Sequence, residues 1–388
     1  MIKLKKAEEI FLSHSLCHRS SIDCALYSKI FKEIGSETIF QIAKANNIES
    51  IVASSLIHCF DKTDIEHYWI EAYDSMENRI GLYMKELDRV ANVLNAEDID
   101  VVALKNSGIT RGLYPFYAAS PMGDLDILIR KSDFYIAHKT LVNNGYKLKF
   151  RSPLEEEDID KAYLNGGSEY YIYLENGERM WLELQWRPVS GRWIRQDQEP
   201  DAGLLISNSV PIINSKVRIL APEDNLLQVC LHTAKHSFIR APGFRLNTDV
   251  DRIVIESQID WNIFINKVKN LQIMTPVYFS LVLAKDFVNT PIPESVFKEL
   301  KPQFWKIFII KHWLIRLGLF YPDNKKWGKI GYVIFVSLLY DSLFGLTKGI
   351  FPNPNWMKSH YKFNSNFLLP YFYLLRLYNL LTKRNLNS

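Results

Sequence analysis

Asp124 and Asp126 stand two residues apart in Asp124-Leu-Asp-Ile-Leu-Ile129, a run that is otherwise aliphatic. In a strand, alternate side chains share a face. The two carboxylates then project together, a few ångströms apart, while Leu125, Ile127 and Ile129 take the other face. Like charges so placed repel unless a cation lies between them, and hard oxygen donors select Mg²⁺ or Mn²⁺. A third acid, Glu183, sits mid-run in Trp181-Leu-Glu-Leu-Gln-Trp186. A carboxylate inside an apolar strand is costly to bury alone, and setting it beside the two aspartates gives a three-carboxylate metal cage. The competing arrangement is an exposed strand face with Glu183 at a sheet edge. Upstream, Lys105-Asn106-Ser107-Gly108 follows one strand-like run and opens a helix. Backbone N–H groups at such a turn suit a phosphate, and Lys105 adds charge. An ordinary strand-to-helix turn has the same look. Arg111, on the following helix, is either a further phosphate contact or a solvated charge.

These groups need elements to hold them. Ile99–Leu104 is β-branched and short, which predicts a strand. A helix-like stretch runs to about Tyr117, Met122-Gly123 breaks the chain, and 124–129 predicts a second strand. Ser132 is a candidate cap for a helix to Asn144 that Gly145 ends. Residues 151–168, acidic and then glycine-bearing, predict a loop or lid. Tyr170–Leu174 and Met180–Trp186 predict a hairpin turning at Asn176-Gly177. Tyr170 and Tyr171 are candidates to line a binding pocket, or simply to pack. Before this unit, Ser36 is a candidate cap for a helix to Asn46. Asp64–Asn95 carries apolar residues at helical spacing over roughly nine turns. After Pro222 the pattern is helical almost to the end. The expected division is 1–97 (helical), 98–215 (α/β core) and 216–388 (helical, basic and aromatic from about 301).

On the predicted helix after Pro222, His232 and His236 are spaced i, i+4 and share a face. A zinc-peptidase H-E-x-x-H motif needs Glu directly after the first histidine, and Thr233 stands there. The plain reading is a core-satisfied His232 and an exposed His236.

The 388 residues are 47% hydrophobic and 23% charged, an ordinary globular composition that argues against disorder. Cys17, Cys24, Cys59 and Cys230 are too few and too scattered for a disulfide scaffold. His14, Cys17, His18 and Cys24 fit no standard zinc spacing. With a charged Met1–Leu12 and no secretory pattern, the expectation is a reducing, cytoplasmic compartment. Residues 301–388 hold 13 Lys/Arg against 2 Asp/Glu, a net of +11, whereas the first 300 residues carry −7. That segment also holds 20 of the 51 aromatic residues. Its best candidate for a membrane span, Ile330–Leu346, is too short and is interrupted by Asp341. Peripheral contact at the inner membrane, or with nucleic acid, is left open.

A strand, a polar turn, a helix, a D-x-D strand and an acid on a later strand together resemble the DNA-polymerase-β-like nucleotidyltransferases. More closely, the chain resembles the bacterial group called uncharacterised nucleotidyltransferases. The resemblance is carried by Leu104-Lys-Asn106, Leu113-Tyr-Pro115, Asp124-Leu-Asp126, Leu182-Glu-Leu-Gln-Trp186 and Pro222–His232, and more faintly by Phe351–Trp356. It implies an α+β fold, a mixed-sheet palm flanked by helical regions. It implies Mg²⁺- or Mn²⁺-dependent transfer of a nucleotidyl group from a nucleoside triphosphate, ATP first among candidates, to a hydroxyl. Acceptors still open are a small metabolite, a sugar, a peptide or an RNA end. Asp124 and Asp126 then hold the metal, and Glu183 completes its shell or takes the acceptor's proton. Lys105, Asn106, Ser107, Arg111, His232 and Lys235 become nucleotide contacts, the resemblance setting the helix of His232 and His236 beside the cleft and matching Asp249 to a family aspartate that orients a histidine or caps a helix. Two positions depart from the family pattern: Asn106 replaces a glycine and Gln185 a histidine. The alternative is an inactive nucleotidyltransferase-like binding protein acting through its basic C-terminal region.

Overall fold

The computed structural model describes residues 6–151, 157–189, 194–240, 242–320 and 328–382. The alternating and β-branched runs form seven strands: β1 (Val101–Ala103), β2 (Asp124–Leu128), β3 (Lys147–Leu148), β4 (Gly167–Tyr173), β5 (Arg179–Gln185), β6 (Val210–Pro211) and β7 (Val217–Ile219). They make one mixed sheet in the order β3-β4-β5-β2-β1-β7-β6. β2 is parallel to β5 and antiparallel to β1, and β1 is parallel to β7. The expected hairpin is β4–β5. Strands β3, β6 and β7 were not foreseen: two are two-residue edges, and β7 is three residues whose pairing with β1 arises only in the fold.

One sheet face is almost entirely apolar, Ser168 excepted. Leu125, Ile127, Tyr170, Met180, Leu182 and Leu184 are buried against the helices His67–Asn95 and Phe134–Asn143, through Tyr83, Leu87, Leu94, Phe134 and Leu141. The 29-residue helix His67–Asn95 follows from its uninterrupted apolar stripe. A second core joins the N-terminal helices to those after Pro222, through Phe11, Trp69, Phe238, Phe264 and Phe335. A polar tie crosses the same seam: the His18 backbone N–H donates to Asp251 at 2.8 Å, and Thr290 Oγ1, on Asp251's own side, holds that carboxylate at 2.8 Å. The opposite face of the sheet is polar and open at β2, β4 and β5.

Several local expectations are corrected. The 151–168 segment is not a bare loop: residues 152–156 lie outside the described residues, but Ile159–Asn165 is a helix capped by Asp158, and β4 begins at Gly167. Ser36 does not cap its helix. Its hydroxyl is taken by Tyr68 at 2.7 Å and Trp69 Nε1 at 2.9 Å, which ties the helix Ser36–Ala45 to the long one. Ser132 likewise gives way to Asp133 at the head of Phe134–Asn143. Cys24 and Cys59 form a disulfide between the helices Cys24–Ile34 and Glu49–Cys59, because antiparallel packing brings the start of one beside the end of the other. The cysteine pattern therefore gives no ground for a reducing compartment. Cys17 and Cys230 are buried free thiols. Among the described residues, no helix is long and apolar enough to cross a membrane.

Candidate active site

Parallel pairing sets Asp126 directly opposite Glu183, and Asp124 opposite Trp181, on the polar face of the sheet. One carboxylate oxygen each from Asp124, Asp126 and Glu183 lies within 4.8 Å of the others. The three acids singled out by residue type thus converge. Glu169, not anticipated, extends the row as the register partner of Glu183 on β4.

The turn after β1 faces this row. Lys105 adopts a left-handed backbone, φ 52°, which brings its ammonium 2.6 Å from Asp126 Oδ1 and 3.5 Å from Glu183 Oε2. Gly108 lets the following helix sit this close: a Cβ there would lie 2.5 Å from the Ala103 carbonyl oxygen. Gln185, where the resemblance leads one to expect histidine, donates to Asp126 Oδ1 at 3.0 Å. Arg151 bridges Asp124 at 2.7 Å and Glu169 at 3.2 Å. Asn106 lines the cleft and donates to the Pro121 carbonyl, leaving its own Oδ1 buried without a partner.

Two expected contacts are corrected. Ser107 is buried beneath the strand, where its Oγ accepts the Asp126 backbone N–H at 3.0 Å. It positions the acid and does not line the cleft. Arg111 points away and pairs with Asp88 at 3.1 Å, because six residues of helix carry it well over half a turn round from the face that Lys105 takes.

The opposite wall comes from the helix Pro222–Lys235 and the chain after it. His232, Lys235, His236, Arg245 and Asp249 enclose, with the sheet residues, a cleft of about 390 Å³. The His232 and His236 rings meet edge to face at 4.8 Å, and His232 Nδ1 is buried with no partner. The Lys235 ammonium makes no ion pair or hydrogen bond among the described residues. Both histidines therefore turn to the cleft. Arg245 escaped the sequence reading because an irregular turn carries it. Tyr170, a candidate for the acceptor pocket, is fully buried on the apolar face with His138 at 2.8 Å. Its neighbour Tyr171 takes the polar face, 5.7 Å from Trp181 ring to ring.

Charge in the cleft is strongly coupled. Burial and the neighbouring carboxylates push Asp126 well above the ordinary aspartate range against the pull of Lys105. For Glu183, burial is outweighed by Lys105, Asp126, Lys235 and Arg151, and the carboxyl is held far below its usual value. Burial disfavours the Lys105 ammonium, yet Asp126, Glu183 and Asp124 more than compensate and raise it. On the other wall, burial and then Lys105 lower both His232 and Lys235. Asp249 is raised to about 6 by burial, despite Arg252 and Arg245.

Residues 32–289 match the family model described as uncharacterised nucleotidyltransferase. The chain belongs to the uncharacterised nucleotidyltransferase family. No curated protein and no solved structure matches it. The matched span contains every cleft residue of this nucleotidyltransferase-family chain, from Lys105 to Asp249. Three converging hard-oxygen donors, already drawing a lysine ammonium between them, suit a divalent cation. The family membership and the donor set are thus consistent.

Proposed function

We propose that the chain is a nucleotidyltransferase with a polymerase-β-like palm, moving a nucleoside monophosphate from a triphosphate, with ATP the first candidate, to a hydroxyl. The observation that carries this reading is the convergence of Asp124, Asp126 and Glu183 on one open sheet face beneath a cationic wall. Mg²⁺ or Mn²⁺ held by these acids supplies charge neutralisation on the phosphates and on the departing pyrophosphate. Glu183, level with Asp126 in the strand register, serves as the third ligand. Ser107 and Gln185 fix Asp126 from behind and beside it, so its carboxylate is oriented before substrate arrives. Lys105, Asn106, His232 and Lys235 contact phosphate oxygens. The acceptor hydroxyl oxygen attacks the α-phosphorus as the bond to pyrophosphate breaks, and the hydroxyl proton passes to solvent in the open cleft.

A second reading rests on Lys105. Its ammonium occupies the space between Asp126 and Glu183, and a lysine fixed there leaves a palm that binds without transferring. Incubation with α-labelled triphosphates, Mg²⁺ and acceptor pools separates the two. Transfer predicts label joined covalently to an acceptor and lost in Asp124→Asn and Asp126→Asn. The binding reading predicts no labelled product, and partner affinity unchanged by those substitutions.

A further inference from the structure

The last described helices leave an unusually apolar surface uncovered. Of 24 large hydrophobic side chains exposed among the described residues, 14 lie between Phe304 and Tyr378. The helix Phe304–Leu317 is apolar nearly all round. Lys306, Ile310 and Leu314 face the interior, and the opposite stripe is bare: Phe304 is 78% and Phe308 65% exposed. A helix apolar on all sides normally has every side covered. Leu343 and Phe344 open the helix Leu343–Ile350 at 79% and 67% exposure, and Tyr371 and Leu374 repeat the pattern on Leu369–Thr382.

These helices are knitted together. Lys306 donates to the Tyr340 and Asp341 carbonyls just before Leu343–Ile350. Arg376 donates to the Gly349 and Ile350 carbonyls at 2.9 and 3.0 Å. The exposed stripes therefore belong to one structural unit.

Within 301–382 the exposed charges among the described residues have a single sign. Lys301, Arg316, Lys348 and Lys362 are exposed. Among the described residues, no ion pair involves any side chain of 301–382. The one described acid, Asp341, is used up internally, accepting the Met274 and Thr275 backbone N–H groups at 2.7 Å. Lys348 rides over the Phe344 ring at 4.5 Å, with its ammonium at the rim of an apolar side chain.

We propose that this face docks on an anionic lipid bilayer as a peripheral, non-spanning contact. Aromatic and aliphatic side chains enter the headgroup boundary while Lys and Arg meet lipid phosphates. A second copy of the chain is disfavoured because its identical face carries the same positive charge. Eight of the 14 exposed side chains are aromatic, but the other six, Ile309, Leu343 and Leu374 among them, are aliphatic and offer a base no ring while adding apolar area to a lipid contact, which favours the bilayer over single-stranded nucleic acid. The inference does not depend on the transferase reading.

The test is co-sedimentation of the full chain with vesicles of phosphatidylcholine alone, or with about 30% phosphatidylglycerol. The expected result is binding to the anionic vesicles at least about tenfold tighter than to the neutral ones, weakening as salt shortens the screening length. Phe308→Ser with Phe344→Ser should cut anionic binding about tenfold, as should Lys348→Glu with Lys362→Glu, each with an unchanged thermal midpoint. No binding to either vesicle overturns the proposal. So does a dimer by light scattering that dissociates in the Phe308/Phe344 variant, or binding to an oligonucleotide that competes with vesicles and shares their salt slope. If a variant unfolds, collisional quenching of wild-type tryptophan fluorescence by brominated lipid decides: quenching supports docking, and its absence overturns it.

Discussion

The two walls of the cleft are built on different principles. On the sheet wall every charge has a partner at short range: Asp126 with Lys105 and Gln185, and Asp124 and Glu169 with Arg151. On the helix wall, Lys235 has no ionic partner among the described residues, His232 leaves a ring nitrogen unsatisfied, and Asp249 is raised to about 6. Groups buried and paired are fixed before any ligand arrives. Groups buried and unpaired carry a desolvation cost that a bound anion relieves. The contrast assigns preorganised chemistry to the sheet and substrate binding to the helices.

The largest effect expected from this contrast is on the sheet wall. Asp126→Asn should lower transfer by about 10³-fold or more, because it removes a charged ligand at the point where negative charge develops. Single-turnover transfer of labelled nucleotide measures it. A loss under about tenfold would show that Asp126 is not part of the chemistry.

Lys105→Met tests the pairing itself. It leaves three carboxylates facing one another without their ammonium, and breaking a buried pair costs about 3–5 kcal/mol. Urea unfolding in EDTA should show a loss near the lower end of that range, since Glu183 keeps some solvent access. Millimolar Mn²⁺ should restore part of it by binding the folded state. A variant as stable as wild type in EDTA would mean that the acids do not need the lysine.

Asp249 gives the helix wall a pH signature. Its folded value of about 6 lies above the ordinary aspartate value of 3.8, so the folded chain holds a proton there that the unfolded chain releases. This group's contribution to stability is fully present below about pH 4 and is lost as pH rises to 6, by about 3 kcal/mol at most. Asp249→Asn should remove that slope, read as the difference between the two proteins' unfolding free energies at pH 4, 5, 6 and 7. A difference that stays constant across the range would place the Asp249 carboxylate in an ordinary environment.

The contrast between the walls also marks what a sequence reader can see. The sheet wall was legible because period-two alternation fixes which residues share a face, and a charged residue inside an apolar strand has few places to go. Alternation alone puts Asp124 and Asp126 on one face; that Glu183 joins them depends on β5 pairing with β2, which the structure supplies. Arg151 and Glu169 did not, since one lies beside a segment without periodicity and the other at the head of a strand whose start was set three residues late. Helical spacing put His232 and His236 on one face, but the side that this face meets is decided by packing between distant segments. Arg245 is placed by a short 3₁₀ turn, Gly243–Leu246, that no pattern announces. Ser107 and Arg111 show the converse error: proximity in sequence to a good motif does not aim a side chain, and two or six residues of helix after Lys105 turn a side chain away from the cleft.

Lys235→Gln is the smallest change and the one that most sharpens the division of labour. The ammonium sits in the cleft, is lowered first by burial and then by Lys105, and has no ion pair to lose. Removing it should therefore leave stability unchanged or slightly higher, the opposite of Lys105→Met. Its effect should fall on binding, raising KM for the triphosphate about tenfold, or about 1.4 kcal/mol, with kcat within a few-fold of wild type. A drop in kcat as large as in Asp126→Asn would move Lys235 into the transition state and dissolve the distinction between the walls. An unchanged KM would leave the triphosphate to Lys105 and Asn106, and would mark Lys235 as the contact for an anionic group on the acceptor.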